Sequence, residues 1–314
     1  MRFVDIGANV MDERYTQGSY HGKVRHEPDL ELVLDRAGQA GVRHMIVTAG
    51  TLVDSREAVQ KVREWRDTST RPCRLYCTVG VHPTRCLEFE ENGSDAVSSE
   101  RHLEQLVEVA LDGKRDGTVV AVGEMGLDYD RLQFCPKDVQ RKHFQTQLRL
   151  AEATRLPMFL HNRNVGTELY DLLVQHQDLW QDCNGGVVHS FDDTYELASK
   201  FIDLGLYIGL NGCSLREAKN LEVVKQLPLD RILLETDCPY CGIKRTHAGY
   251  SHVQTEIEAK QEKKYVAGLQ VKGRNEPCNI VQVAEVVAGV RGMKVEELAE
   301  ACYQNSLRLY QWED

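Results

Sequence analysis

The feature that most limits the fold is an alternation. Eight short apolar runs, at residues 2–6, 44–48, 75–81, 119–122, 158–160, 186–188, 206–210 and 232–234, recur at intervals of roughly 20–45 residues. Each interval has room for a helix and two loops. Helical patterns fill several of them. Leu30, Val33, Leu34 and Ala37 share one face of residues 29–41, and Gly41 is a natural stop. Asp54 is placed to cap a helix carrying Ala58, Val62 and Trp65. Pro136 suits a first helical turn ahead of Val139, Leu148 and Ala151. Further patterns cover residues 194–204, 277–290 and 295–310. Strands that are apolar on both faces and each followed by a helix belong to a parallel sheet. Eight such units predict an α/β fold, a single TIM-type (β/α)8 barrel domain over residues 1–314. A doubly wound open sheet is the alternative, but no GxGxxG follows the first run and no P-loop occurs.

Composition narrows the setting. A hydrophobic fraction of 42% in 314 residues can fill a sizeable core. No apolar run approaches the roughly 20 residues that span a bilayer, so no membrane partner is expected. Residues 1–7 read as a strand rather than the apolar stretch of a signal peptide, which predicts a cytoplasmic or nuclear location. The ten cysteines are scattered, and in a reducing compartment they are expected as free thiols. Cys238 and Cys241 make the one CxxC pair, but no second ligand pair with zinc-finger spacing lies nearby. A net charge of −10 argues against a protein that coats nucleic acid electrostatically. It leaves room for a nuclease whose bound cations neutralise phosphate locally.

In a barrel, reactive groups come from the C-terminal strand ends. Here those ends carry Asp5, His82, Glu124, His161, His189 and Asp237. One polar residue after one strand is an ordinary solvated end, but six ligand types at one rim are not. Buried charges must be paired or bound to metal. Imidazole with carboxylate suits zinc, manganese or magnesium. Glu124, near the middle of the set, can bridge two cations roughly 4 Å apart. His161 and His189 would complete one cation site, and Asp237 would serve the other and take a proton from the attacking water. His82 would orient substrate or act as an outer donor, although it precedes Pro83 and can equally be a simple strand cap.

Longer stretches carry a resemblance. Residues 123–129 (Gly-Glu-Met-Gly-Leu-Asp-Tyr), 235–239 (Glu-Thr-Asp-Cys-Pro) and 274–277 (Arg-Asn-Glu-Pro) resemble signatures of the TatD DNases. Residues 160–163 (Leu-His-Asn-Arg) and 188–191 (Val-His-Ser-Phe) match as well, in order along nearly the whole chain. The opening Asp5-Ile6-Gly7-Ala8-Asn9 is closest to TatD itself and its eukaryotic relatives. The resemblance implies a TIM barrel, two divalent-metal sites, and a magnesium-dependent deoxyribonuclease of 3′–5′ exonuclease character, serving DNA repair or degradation. It carries metal roles onto Glu124, His161, His189 and Asp237. Many relatives have a His-x-His where Gly7 and Asn9 stand here. That departure predicts a tight site at Glu124, His161 and His189, and a weak one at Glu124 and Asp237. Few protein ligands and much retained water favour magnesium, with manganese or zinc as alternatives.

The expected chemistry is in-line attack on phosphorus by water that the cations activate. Arg163 and Arg274 are candidate clamps for phosphate oxygens, since guanidinium matches that geometry, although Arg274 can equally pair with Glu276. Two long connections stand out, residues 88–100 and 241–275. The second holds Lys244, Arg245, Lys260, Lys263, Lys264 and Lys272 and is expected to form a basic lip for DNA, single-stranded or with free 3′ ends. Tyr250 and Tyr265 are candidate stacking platforms there. A monomer is the working expectation. Two rivals remain: a barrel hydrolase of small amides or esters, and a scaffold that has lost its chemistry. Intact ligand residues speak against the second.

Overall fold

The computed structural model describes residues 1–68, 73–90 and 96–313. Of the connection expected over residues 88–100, residues 91–95 lie outside the described residues. Eight parallel strands form one sheet in sequence order: β1 (Phe3–Ala8), β2 (Val42–Val47), β3 (Arg74–Val79), β4 (Val119–Asp128), β5 (Met158–Arg163), β6 (Gly186–His189), β7 (Tyr207–Leu210) and β8 (Ile232–Leu234). Helices follow the strands: α1 (Leu30–Gln39), α2 (Leu52–Thr68), α3 (Ala96–Arg115), α4 (Lys137–Thr154), α5 (Glu168–Gln175), α6 (Tyr195–Asp203), α7 (Ala218–Gln226) and α8 (Ile280–Arg291), with α9 (Val295–Tyr310) beyond them. The two edges of the sheet meet past the ends of β1 and β8. Asp237 N–H donates to Gly7 O at 2.8 Å, and Asn9 N–H donates to Cys238 O at 2.8 Å. A sheet whose first and last strands touch is a barrel, and the open-sheet alternative falls away.

Two cores flank the barrel wall. Outside, the apolar faces of the helices pack on the strands through residues such as Val33, Leu34, Val62, Phe144 and Leu148. Inside, Ile6, Ile46, Ala121, Phe159, Val187 and Leu233 fill the lumen. Each large side chain buried this way contributes roughly 1.5–3 kcal/mol. Tyr303, Leu307 and Tyr310 of α9 join that inner cluster. Trp312 then stacks on Tyr76 at 4.3 Å and on Tyr310 at 4.9 Å. The N-terminal end of the barrel is therefore plugged, and the open end is the one where the strands finish.

β4 differs from its expected span. It runs to Asp128, six residues past the apolar run, so Glu124 lies within the strand. The cause is a bulge. Val122 pairs with Met158 but Met125 pairs with Leu160, so β4 fits one extra residue against β5. Gly123 makes this possible: its φ is 142°, and a Cβ there would collide with the Phe159 carbonyl oxygen. Bulges re-aim side chains beside functional sites. Here the bulge supplies the carboxylate.

Candidate metal centre

The open end holds a cavity of about 580 Å³ lined by His82, Glu124, His161, His189 and Asp237. Its centre is one carboxylate oxygen. Glu124 Oε1 lies 2.7 Å from His161 Nδ1, 2.8 Å from His189 Nε2 and 3.4 Å from His82 Nε2. His161 Nδ1 and His189 Nε2 are themselves 3.2 Å apart.

The far side of each ring explains the near side. His161 Nε2 faces Asp128 at 3.4 Å, and His189 Nδ1 faces Glu235 at 3.4 Å. Both carboxylates are buried. A carboxylate fixes the ring proton on its own side and leaves the other nitrogen as a lone pair. His82 is set the opposite way. Thr84 N–H donates to His82 Nδ1 at 3.1 Å, so the proton of a neutral His82 sits on Nε2, toward Glu124. The centre thus brings two nitrogens able to present lone pairs and an anionic oxygen within about 3 Å of one another, with a donor alongside. Lone pairs that close repel unless a cation or proton lies among them. The donor set fits a divalent metal with nitrogen and oxygen ligands.

The charges of these groups are coupled. Burial opposes ionisation of Glu124. The charges of His189 and His82 and the hydrogen bonds of His161 and His189 outweigh it and hold the carboxyl well below its usual range. Burial likewise opposes the charged form of His189, but Glu124 and Glu235 push it well above the ordinary imidazole value. In His82 burial prevails and lowers the pKa.

Asp237 lines the same cavity. Its Oδ1 accepts from Asn9 Nδ2 at 2.9 Å, and its Oδ2 accepts from the Cys241 thiol at 3.2 Å. Burial, with Glu235 and Glu124 nearby, lifts its pKa to about 6 against the opposing pull of His189. Asn9, in place of an imidazole, orients Asp237 with its amide. The room a side chain on Gly7 would need is taken by Glu235, since a Cβ there would meet Glu235 Oε2 at 2.8 Å.

Other expected residues fall elsewhere. Asp5 lies beneath the mouth, fully buried, where its carboxyl binds the backbone and side chain of Thr236. Arg163 lines the cavity, 3.5 Å from Asp192. Arg274 does not serve as a phosphate clamp in this structure. Its guanidinium is fully buried, bidentate to Asp29 at 2.7 Å and bound to Glu276 at 2.9 Å, while Arg36 holds Glu276 from the other side at 2.8 Å. Pairing with Glu276 was the competing expectation, and two acids outbid any exposed phosphate. Lys244 and Arg245 are exposed on the segment after Cys241 and are not among the residues lining the cavity.

The 241–275 excursion is anchored. Tyr265 stacks on His26 at 4.3 Å, so one face of that ring is covered and His26 is not a solvated residue. Glu285 of α8 accepts from Gln254 N–H and Thr255 N–H at 2.8 and 3.0 Å. The CxxC does not act as one thiol pair either. Cys238 is fully buried, while Cys241 faces Cys213.

Sequence reasoning missed Asp128, Glu235 and Thr84 behind the three rings. It also missed Arg85, Arg131 and Tyr240 along the cavity wall. Asp128 and Glu235 stand within four residues of predicted ligands, and carboxylates in apolar strand ends were the available signal. Nothing in the sequence marks Arg85, Arg131 or Tyr240.

Comparison with known proteins places this architecture. The family profile described as TatD related DNase matches residues 4–311. A Schizosaccharomyces pombe protein called Deoxyribonuclease Tat-D is 38% identical over 311 residues, covering 98% of this chain and 96% of its own. A Rahnella protein called 3′-5′ ssDNA/RNA exonuclease TatD is 31% identical, over 98% and 97% of the two chains. The crystal structure of a TatD-family hydrolase from Entamoeba histolytica superposes with a TM-score of 0.89 at 37% identity, covering 99% of this chain and 98% of that one. The chain belongs to the TatD-related DNase family of hydrolases.

Proposed function

We propose that this protein is a metal-dependent deoxyribonuclease that removes nucleotides from the 3′ end of single-stranded DNA. The observation that carries the reading is the Glu124 oxygen set between two imidazole nitrogens, each ring backed by a buried carboxylate. Glu124, His161 and His189 would hold the tighter of two divalent cations, and Glu124 with Asp237 the weaker. Magnesium suits a second site so poor in protein ligands. Bound there, the cations would lower the pKa of a water and neutralise charge developing on phosphorus.

The chain's own groups supply the rest. His82 presents Nε2–H toward Glu124 and can donate to a phosphate oxygen held there. Asp237, steadied by Asn9, accepts a proton at Oδ2. Arg163, Arg85 and Arg131 line the wall and place positive charge where a phosphate backbone would run. Tyr240 is 51% exposed at the rim, with Arg14 over its ring at 4.5 Å, and offers a face for a nucleobase. Lys244 and Arg245 extend this basic track outside the cavity. The 3′–5′ polarity and the preference for single strands rest on the relative from Rahnella.

The test is end-labelled single- and double-stranded DNA incubated with magnesium, with and without EDTA. Nucleotides released from the 3′ end only, loss of activity with EDTA, and at least a 100-fold loss in Glu124→Ala are expected. Activity that survives in Glu124→Ala belongs to a contaminant and ends the assignment.

A further inference from the structure

None of the ten cysteines enters the chemistry above. Two of them nevertheless line its cavity. Cys213 follows β7 and Cys241 follows β8; both are partly exposed, and their sulfurs stand 2.8 Å apart. The main chains that carry them touch as well. A Cβ on Gly212 would collide with the carbonyl oxygen of Cys241. Two partly exposed thiols held face to face by abutting backbones need no large movement to bond. The third partner matters most: the Cys241 thiol donates to Asp237 Oδ2 at 3.2 Å.

We infer that Cys213 and Cys241 form a reversible disulfide that disables the cation site at Asp237. The inference rests on the reading of that site given above. The oxidant is a peroxide. The Cys213 sulfur, beside the charge of Arg163, attacks one oxygen of hydrogen peroxide. The O–O bond breaks, the sulfur becomes a sulfenic acid, and one water leaves. The Cys241 sulfur then attacks that sulfur, the S–S bond forms, and the hydroxyl departs as a second water with the remaining thiol proton. Two thiols and one peroxide give one disulfide and two waters. Two molecules of a small thiol such as glutathione reverse it by exchange, emerging as their own disulfide.

The effect on the site follows from what the thiol was doing. Closing the sulfurs to a bond of about 2.05 Å draws Cys241 toward β7. The sulfurs approach by less than about 1 Å, and the turn from Asp237 to Cys241 takes up that movement. Asp237 loses the donor on Oδ2 and shifts with the turn. Displacement of a reacting group by about 1 Å costs on the order of 100-fold in rate.

The test uses the full-length protein, treated with hydrogen peroxide in EDTA and then freed of both. Peptide mapping should find residues 213 and 241 in one linked species. Magnesium titration should lose the weaker binding step, DNA cleavage should fall at least 10-fold, and dithiothreitol should restore both. Cys213→Ser should show none of these peroxide effects. Absence of the linked peptide while other thiols oxidise overturns the inference, and so does a linked peptide with unchanged magnesium binding. If the protein cleaves no DNA at all, the mapping and titration still decide this point, so the two failures are separable. Should Cys213→Ser fold poorly, the linked peptide and the titration of the wild-type protein remain sufficient.

Discussion

Behind His161 and His189 a buried acid stands 3.4 Å from the outer ring nitrogen, placed to draw the ring proton to that side and turn a lone pair toward the centre. On the proposed reading, metal affinity would therefore depend on residues that never touch the cation. Glu235→Gln keeps the shape of the side chain but removes the charge behind His189. It should weaken divalent-cation binding 10- to 100-fold, read by calorimetry, with a smaller change in melting temperature. Asp5 raises a different question of protonation. It is fully buried, and burial raises its pKa to about 8, with Glu235 adding repulsion against the hydrogen bonds of Thr236. The folded state thus keeps a proton that the unfolded chain releases near its ordinary value of 3.8. A raised folded-state pKa means stability that is present at low pH and lost as pH climbs to about 8. Asp5→Asn should remove that slope. Between pH 5 and 8 the stability gap between variant and wild type should widen in favour of the variant, by up to about 1.4 kcal/mol per pH unit. Denaturant melts across that range would show parallel curves if Asp5 is ionised in the native state.

At the scale of elements, the expectations held where the pattern is local and failed where partners are distant in sequence. Leu30, Val33, Leu34 and Ala37 do place α1 on the barrel wall, three of them buried, because a 3.6-residue period needs no knowledge of the rest of the chain. The span of β4 escaped notice because the bulge at Gly123 is set by the register of β5. Arg274 shows the same limit. Its partner Asp29 is 245 residues away, at the start of α1, and no short-range reading could pair them. The result is a buried cluster in which Arg274 and Arg36 share Asp29 and Glu276, tying α1 to the segment that leads into α8. Arg274→Met should cost about 3–5 kcal/mol in unfolding experiments, because it strands buried carboxylates. At temperatures where the variant stays folded, DNA affinity should be unchanged. A phosphate clamp would give the reverse pattern.

For the whole molecule, the barrel was legible because eight apolar runs with intervening helices leave few other folds. The mouth was legible because the side chains that line it, among them His82, Glu124, His161, His189 and Asp237, follow those runs. The cavity wall was not, since Arg85, Arg131 and Tyr240 come from loops whose course depends on everything beneath them. The chain is acidic overall, at −10, so any attraction for a polyanion must be local. Replacing Lys244 and Arg245 together with alanine should weaken binding of single-stranded DNA. It should also flatten the plot of log affinity against log salt by about 0.7 per lost phosphate contact. An unchanged slope would remove these two residues from the track. The aromatic plug of Tyr303, Tyr310 and Trp312 has the last word on traffic. A tube stoppered at one end is a cup, not a tunnel. A polymer cannot be threaded through it; on the proposed function its tip would dip in, be trimmed, and back away while the clipped fragment left by the same door. Each such cycle would wait on clearance of that single opening, and added mononucleotide should inhibit cleavage by competing with the next strand end for the space.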